Sequence, residues 1–244
     1  MAVKQRLDTP TNNFATFNNL SYSSSAATDG NLKFVPGGTH SSLGTTLYMT
    51  SGKFYIEYYS DGWDNAPAFI FFTPDVPLND YHAGSDNTNL WYWRASGQGS
   101  TSGFNTENSG YPTWSSGQIA SVLIDFDNDG IFGYVNGSIV NSGNALFSPS
   151  IVNKTLGVSI KAYNGNHVLN FGQDATFNGN ATPTKVYTDA RGLGRFYYQP
   201  PEGALALCTA NLGVTNYQSA PTSYIVDETN TKILTYNGNV KQVP

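Results

Sequence analysis

The chain has 244 residues, a formal net charge of −5, and charged side chains at only 12% of positions. It carries no Lys/Arg cluster and no apolar window long enough for a bilayer, which argues against nucleic acid, acidic membrane surfaces and membrane insertion. Aromatics reach 14% and the remaining polar residues are mostly uncharged, so a folded chain of short strands and many turns is expected, not a disordered one. The N-terminus lacks an apolar signal core, so a protein made in a cytoplasm and staying soluble is expected. One cysteine, Cys208, excludes an intrachain disulfide.

Residues 1–13 are polar, contain Pro10, and read as an extended arm. A first strand is expected from Phe14 to Ser21, then a loop of small residues from Ser23 to Gly30. Further strands are expected at 31–35 and 43–49. In residues 53–59, Phe54, Ile56 and Tyr58 fall on one face and Lys53, Tyr55 and Glu57 on the other. The loop 60–67 carries Trp63; residues 68–72 form a continuous apolar run, as a central strand does. A long loop with Pro74 and Pro77 leads to the aromatic strand 90–94, and residues 95–117 read as one or two weak strands within a variable loop.

Residues 119–140 organise the chain. Val122, Ile124 and Phe126 alternate with Ser121, Leu123 and Asp125, and Ile131 to Val135 answers them. Between lies Asp127-Asn128-Asp129-Gly130, a strong hairpin signal, and Asn136-Gly137 turns the chain again. Residues 156–162 and 166–171 form a second pair around Asn164-Gly165. Residues 178–195 read as an inserted loop, and 204–212 as a closing strand with Leu205 and Leu207 on one side. No three-to-four-residue apolar spacing persists, so no helix is expected. About a dozen short strands argue for an all-β sandwich of two antiparallel sheets. Residues 213–244 hold two further short strands, 224–226 and 232–236, too few for a core of their own. The expected division is therefore an arm at 1–13, a sandwich at 14–212, and a C-terminal arm or small β extension at 213–244.

Several phrases add up in order. Ser51-Gly52-Lys53-Phe54-Tyr55-Ile56-Glu57, the hairpin from Asp125 to Gly137, Leu156-Gly157-Val158-Ser159 and Asn170-Phe171-Gly172-Gln173 each resemble a strand or turn of SPRY (B30.2-like) domains. The segment from Phe196 to Asn211, ending Cys208-Thr209-Ala210-Asn211-Leu212, resembles the close of SPRY-like proteins encoded by tailed bacteriophages. The resemblance implies a concanavalin-like sandwich acting as a recognition module through loops at one end. It also implies a place in a virion assembled in the host cytoplasm, as a tail fibre, spike or head decoration. Other virion proteins, further copies of the chain as a homo-oligomer, and a host cell-surface glycan are the implied partners. A purely structural virion role is the alternative, and a polysaccharide-degrading enzyme the least favoured reading.

Asp125, Asp127 and Asp129 match half a calcium loop, but the twelfth position is Asn136, so a turn is preferred and no metal or cofactor is expected. Glu57, Glu107, Glu202 and Glu228 are far apart, so no carboxylate pair for glycoside hydrolysis is evident and no catalytic residue is assigned. His40, His82 and His167 lack metal spacing and read as loop histidines. Trp91 and Trp93 share a strand face suited to the core. Trp63, flanked by Asp61 and Asp64, and Trp114, near Tyr111, lie in loops and offer rings on which a neutral sugar could stack. Loop tryptophans also pack onto their own sandwich, so both readings stand at this point.

Overall fold

The computed structural model describes residues 8–9, 12–21, 26–36, 41–62, 67–76, 78, 89–101, 107–147 and 151–212, with the backbone alone for 224–226, 232–236 and 239–242. The strands are β1 (Ala26–Thr28), β2 (Lys33–Val35), β3 (Ser41–Gly44), β4 (Lys53–Ser60), β5 (Ala68–Phe72), β6 (Leu90–Arg94), β7 (Gln98–Ser100) and β8 (Asn108–Ser109). They continue as β9 (Ile119–Asp125), β10 (Gly130–Val135), β11 (Ser138–Ile139), β12 (Gly157–Ala162), β13 (His167–Asn170), β14 (Tyr224–Val226), β15 (Lys232–Tyr236) and β16 (Asn239–Gln242). One 3-10 turn, Asn141–Gly143, is the helical structure among the described residues.

Two antiparallel sheets form the sandwich. The seven-stranded sheet runs β1-β2-β13-β4-β9-β10-β11 and the six-stranded sheet β3-β12-β5-β6-β7-β8. The alternation in β4 and β9 decides which side chains meet between them. Phe54 pairs with Ile124 and Ile56 with Val122, and all four are buried in the main core with Phe69, Phe71, Trp91 and Trp93 from the opposite sheet. Tyr58 of one sheet meets Phe69 of the other edge-on at 5.3 Å, and Phe69 stacks beside Trp93 at 6.3 Å. The expected all-β sandwich of two antiparallel sheets is the observed fold.

The hairpin forms as its sequence demands, with one difference. The left-handed residue is Asp129 (φ 51°), and Gly130 already belongs to β10. Asp125 closes β9 with its carboxylate turned back onto the turn: Oδ1 accepts from the N–H groups of Asp127 and Asn128, and Oδ2 from the Asn128 amide. Lys53 Nζ lies 3.1 Å from the same carboxylate. Asp129 Oδ1 instead accepts from the backbone of Ile151 and Val152. The two carboxylates therefore serve different loops, as a structural turn requires.

Some strand boundaries needed tertiary information. Residues 14–21 are not a strand; Phe14 bridges Cys208 and Phe17 bridges Thr45 as isolated pairs. The small residues 26–28, read as loop, form edge strand β1 on β2. The closing segment is also not a regular strand. Its Leu205 makes a parallel bridge to Phe54, with Leu205 N–H donating to Lys53 O and Tyr55 N–H to Leu205 O. It thus takes the edge of β4 beyond the point where β13 stops, opposite Glu57.

This arrangement coats the outer face of the seven-stranded sheet. Tyr55, Leu123, Phe196, Ala204, Ala206 and Cys208 make a second apolar layer there, with Phe14 against it. Hence β9 is buried along its whole length, Ser121 and Asp125 included. Cys208 is inside this layer, where burial pushes its thiol pKa up. The inserted stretch is held down by Asp189, 5% exposed. Its Oδ1 accepts from the N–H groups of Arg191 and Leu193, and its Oδ2 from Ala206 N–H and the Asn211 amide. At the N-terminal side, Asp8 Oδ1 accepts from Phe14 N–H, and Asn13 N–H donates to Thr209 Oγ1. The described part of the arm is therefore bound to the closing segment. The C-terminal stretch forms its own three-stranded sheet, β14-β15-β16, one strand more than its sequence suggested.

Candidate functional site

One end of the sandwich gathers the connections after β4, after β6, before β9, after β10 and between β12 and β13. Backbone bonds tie them: Gly117 N–H donates to Ser60 O at 2.8 Å, Ala95 N–H to Pro67 O at 2.9 Å, and Asn136 N–H to Ile119 O at 2.8 Å. Asp61 is the main side-chain tie. Its Oδ1 accepts from Asn166 N–H at 2.9 Å and its Oδ2 from the Asn166 amide at 2.8 Å. Gly62 lies against Gly165 so closely that a Cβ on Gly62 would sit 2.4 Å from Gly165 Cα, which only two glycines allow.

The sequence placed five ligand candidates at this end. Asp61 is there, with its carboxylate engaged in holding two loops together. Trp63 and Asp64 lie outside the described residues. Tyr111 is half-buried, its ring seated over Gly99 and 5.4 Å from Phe147. Trp114 is corrected: it is 2% exposed, and its ring meets Trp93 edge-on at 4.3 Å with Phe69 at 6.4 Å. Trp114 N–H donates to Ala95 O, which turns the residue inward, and Trp93 Nε1–H donates to Pro112 O beside it. No face of that indole is open to a sugar. Trp91 and Trp93 are core residues, as their strand suggested.

His167 is corrected as well: it belongs to β13 and is 1% exposed. Its Nε2–H donates to Asn164 O at 2.7 Å and its Nδ1 accepts from Tyr58 OH at 2.6 Å. Burial lowers its pKa to about 4, so the ring is neutral and acts as a polar brace under the loop end. His40 and His82 lie outside the described residues.

Two arrangements carried weaker sequence signals. Glu57 is wholly buried on the outer face of β4. Its Oε1 accepts from Tyr198 N–H at 2.8 Å, and its Oε2 from Tyr197 N–H and the Asn170 amide, both at 2.9 Å. Burial pushes its pKa up to about 7 against the pull of those three donors. The signal was a lone acid in an otherwise apolar strand, where a buried charge must find donors. With both oxygens engaged, this carboxyl fixes the backbone of residues 197–198. Above it, Tyr59, Phe177, Tyr197 and Tyr198 form a continuous aromatic group, with ring separations of 5.8, 6.3 and 4.9 Å in that order. Nothing local in the sequence joins Tyr59 to the last three.

Among the described residues no cluster of His, Cys, Asp and Glu has the geometry to hold a metal ion, and no helix is long and apolar enough to cross a membrane. The architecture is that of an antiparallel two-sheet sandwich in which the closing segment, from Phe196 to Cys208, plates the outer face of the seven-stranded sheet. No family model and no curated protein matches the chain. Among solved structures it is similar to the SPRY domain of human HERC1, with a TM-score of 0.50 and 14% identity over 63% of this chain and 96% of that one. It is similar to the TRIM65 PSpry domain, at 0.50 and 13% identity over 64% of this chain and 88% of that one. A match to stonustoxin, at 0.49 and 16% identity, spans 64% of this chain and 27% of that one. The fold is SPRY-like, and the likeness extends to the fold alone.

Proposed function

We propose that this chain is a non-enzymatic recognition module of a tailed-phage virion, a tail fibre, spike or head decoration, that presents its loop end to a glycan of the host cell surface. The observation that carries the reading is the loop end itself. Five connections converge there and are braced from below by the Asp61–Asn166 pair and the buried Tyr58–His167 pair. A preorganised loop cluster on a rigid sandwich binds with little ordering cost. The low charge of the chain suits an uncharged ligand, and the close at Cys208-Thr209-Ala210-Asn211-Leu212 supports the phage origin. The test is binding of the labelled full chain to host cells before and after periodate oxidation of surface sugars. Saturable binding that periodate abolishes is expected. Binding that survives periodate removes the glycan, and absence of any binding removes the recognition role.

A second reading rests on the C-terminal sheet. With β15 in the middle, β14 and β16 are both edge strands, and edges of this kind join neighbouring chains. Assembly with other copies or other virion proteins is the role proposed for residues 213–244, tested by light scattering of the full chain against a chain ending at Leu212.

A further inference from the structure

The aromatic group over Glu57 is built unlike ordinary core. Phe177 is fully buried, but Tyr59 and Tyr197, which meet it, and Tyr198, which meets Tyr197, are each partly exposed. They sit on the outer face of the seven-stranded sheet, where Tyr59 pairs with Ile119 of β9 and Val168 of β13, one residue before the strand ends at the loop cluster. One face of Tyr198 rests on the turn residue Gly137, where a Cβ would lie 2.5 Å from the ring; with φ at 77° that position favours glycine twice over. Tyr197 meets Tyr198 edge-on, and its hydroxyl donates to Thr182 O at 3.3 Å. The backbone of both tyrosines is pinned from beneath by the Glu57 carboxyl. These rings are held from several sides, yet remain partly open.

The polar groups at the rim complete the arrangement. The hydroxyls of Tyr59 and Tyr198 make no hydrogen bond among the described residues. Asn136, exposed in the turn beside Gly137, uses its Oδ1 to accept from Ile119 N–H and keeps its amide donor unengaged among the same residues. No charged side chain belongs to the shelf itself; Glu57 lies wholly beneath it. Tyrosine gives a large rigid contact at low entropic cost, with a polar tip. Partly exposed tyrosine rings, two free phenol hydroxyls and one amide offer what a neutral saccharide binds: apolar surface for its C–H bonds and neutral donors for its hydroxyls.

We infer that Tyr59, Tyr197 and Tyr198, with Asn136 at the rim, form a shelf on the outer sheet face that binds a neutral saccharide ring by stacking. The shelf adjoins the loop end, and the inference rests on the recognition reading above while assigning the sugar contact to different residues. Glu57 acts as a positioning residue, since it holds the backbone of two shelf tyrosines and does not itself reach the surface.

The probe is a printed panel of neutral glucan, galactan and mannan oligosaccharides, followed by titration of the best binder against the full-length chain and its variants. Tyr59→Ala and Tyr198→Ala should each weaken binding at least about tenfold, or ~1.4 kcal/mol. Trp63→Ala should leave it within about twofold. Tyr198→Phe, which keeps the ring, should bind more tightly than Tyr198→Ala, and thermal melts of all variants separate loss of the shelf from loss of the fold. Sugar binding lost in Trp63→Ala but kept in both tyrosine variants overturns the shelf and leaves the loop-end reading standing. Host-cell binding with no sugar bound from the panel also overturns the shelf alone. No binding to cells or to the panel overturns both.

Discussion

Glu57 and His167 make opposite demands on the pH dependence of stability, and replacing Glu57 by glutamine should separate them. In the folded chain burial raises the Glu57 pKa from the ordinary 4.5 to about 7. Between those values the folded state holds a proton that the unfolded chain has released, so the Glu57 contribution is complete below pH 4.5 and is lost as pH rises through 7. His167 runs the other way. Its pKa falls from 6.5 to about 4, so the unfolded chain takes up a proton that the folded ring refuses. Its contribution is complete above pH 6.5 and is lost as pH falls through 4. Each window is worth about 3 kcal/mol, and the two slopes nearly cancel between pH 4.5 and 6.5. The native chain should therefore show a flat stability profile there, from these two groups. In Glu57→Gln the His167 slope stands alone, and stability should fall by about 3 kcal/mol from pH 6.5 to 4. Glutamine keeps one acceptor but turns an amide donor toward a backbone N–H or the Asn170 amide, at a cost of about 1–3 kcal/mol at every pH. The measurement is urea unfolding at half-unit pH steps, followed by tryptophan fluorescence. A stability difference between variant and native chain that does not change with pH would refute the reasoning, because it would mean that Glu57 titrates alike folded and unfolded.

Ile124→Ala should cost about 2–5 kcal/mol in urea unfolding, since Ile124 is fully buried between the sheets; a loss below 1 kcal/mol would mean that this position can collapse or is wet. Trp114→Ala should lower the melting temperature sharply, by the equivalent of about 3–5 kcal/mol, because its buried ring packs against both Trp93 and Phe69. An unchanged melt would return Trp114 to the surface. A chain ending at Leu212 should keep its cooperative melt, because both sheets of the sandwich are complete by that residue. A molten or insoluble truncated chain would make the C-terminal sheet part of the fold.

The sandwich was legible because its strands carry their own evidence. The alternation of Phe54, Ile56 and Tyr58, and of Val122, Ile124 and Phe126, states a face and a period, and burial follows from both. The hairpin was legible for the same reason: turn residues and flanking strands lie within one short window. What the sequence hid were decisions made over long separations. Glu57 meets Tyr197 N–H across 140 positions, and no pattern around either residue names the other. The closing segment was read as a strand from the alternation of Leu205 and Leu207. It is instead a plate that touches β4 at one bridge and turns Ala204, Ala206 and Cys208 onto the opposite face of the sheet. Trp114 was misread because a tryptophan among serines and threonines describes a loop's composition, not its direction. A single hydrogen bond to Ala95 O and a ring waiting at Trp93 turn that loop inward. The same physics explains why the tyrosine shelf could not be seen beforehand. Tyr59 is contributed by a strand whose alternation faces it outward, while Phe177, Tyr197 and Tyr198 come from turns with no period at all. They are brought together because a buried carboxyl in the strand needs donors, and the backbone at Tyr197 and Tyr198 supplies them. The polar group that local patterning treats as an anomaly is thus the group that assembles the surface.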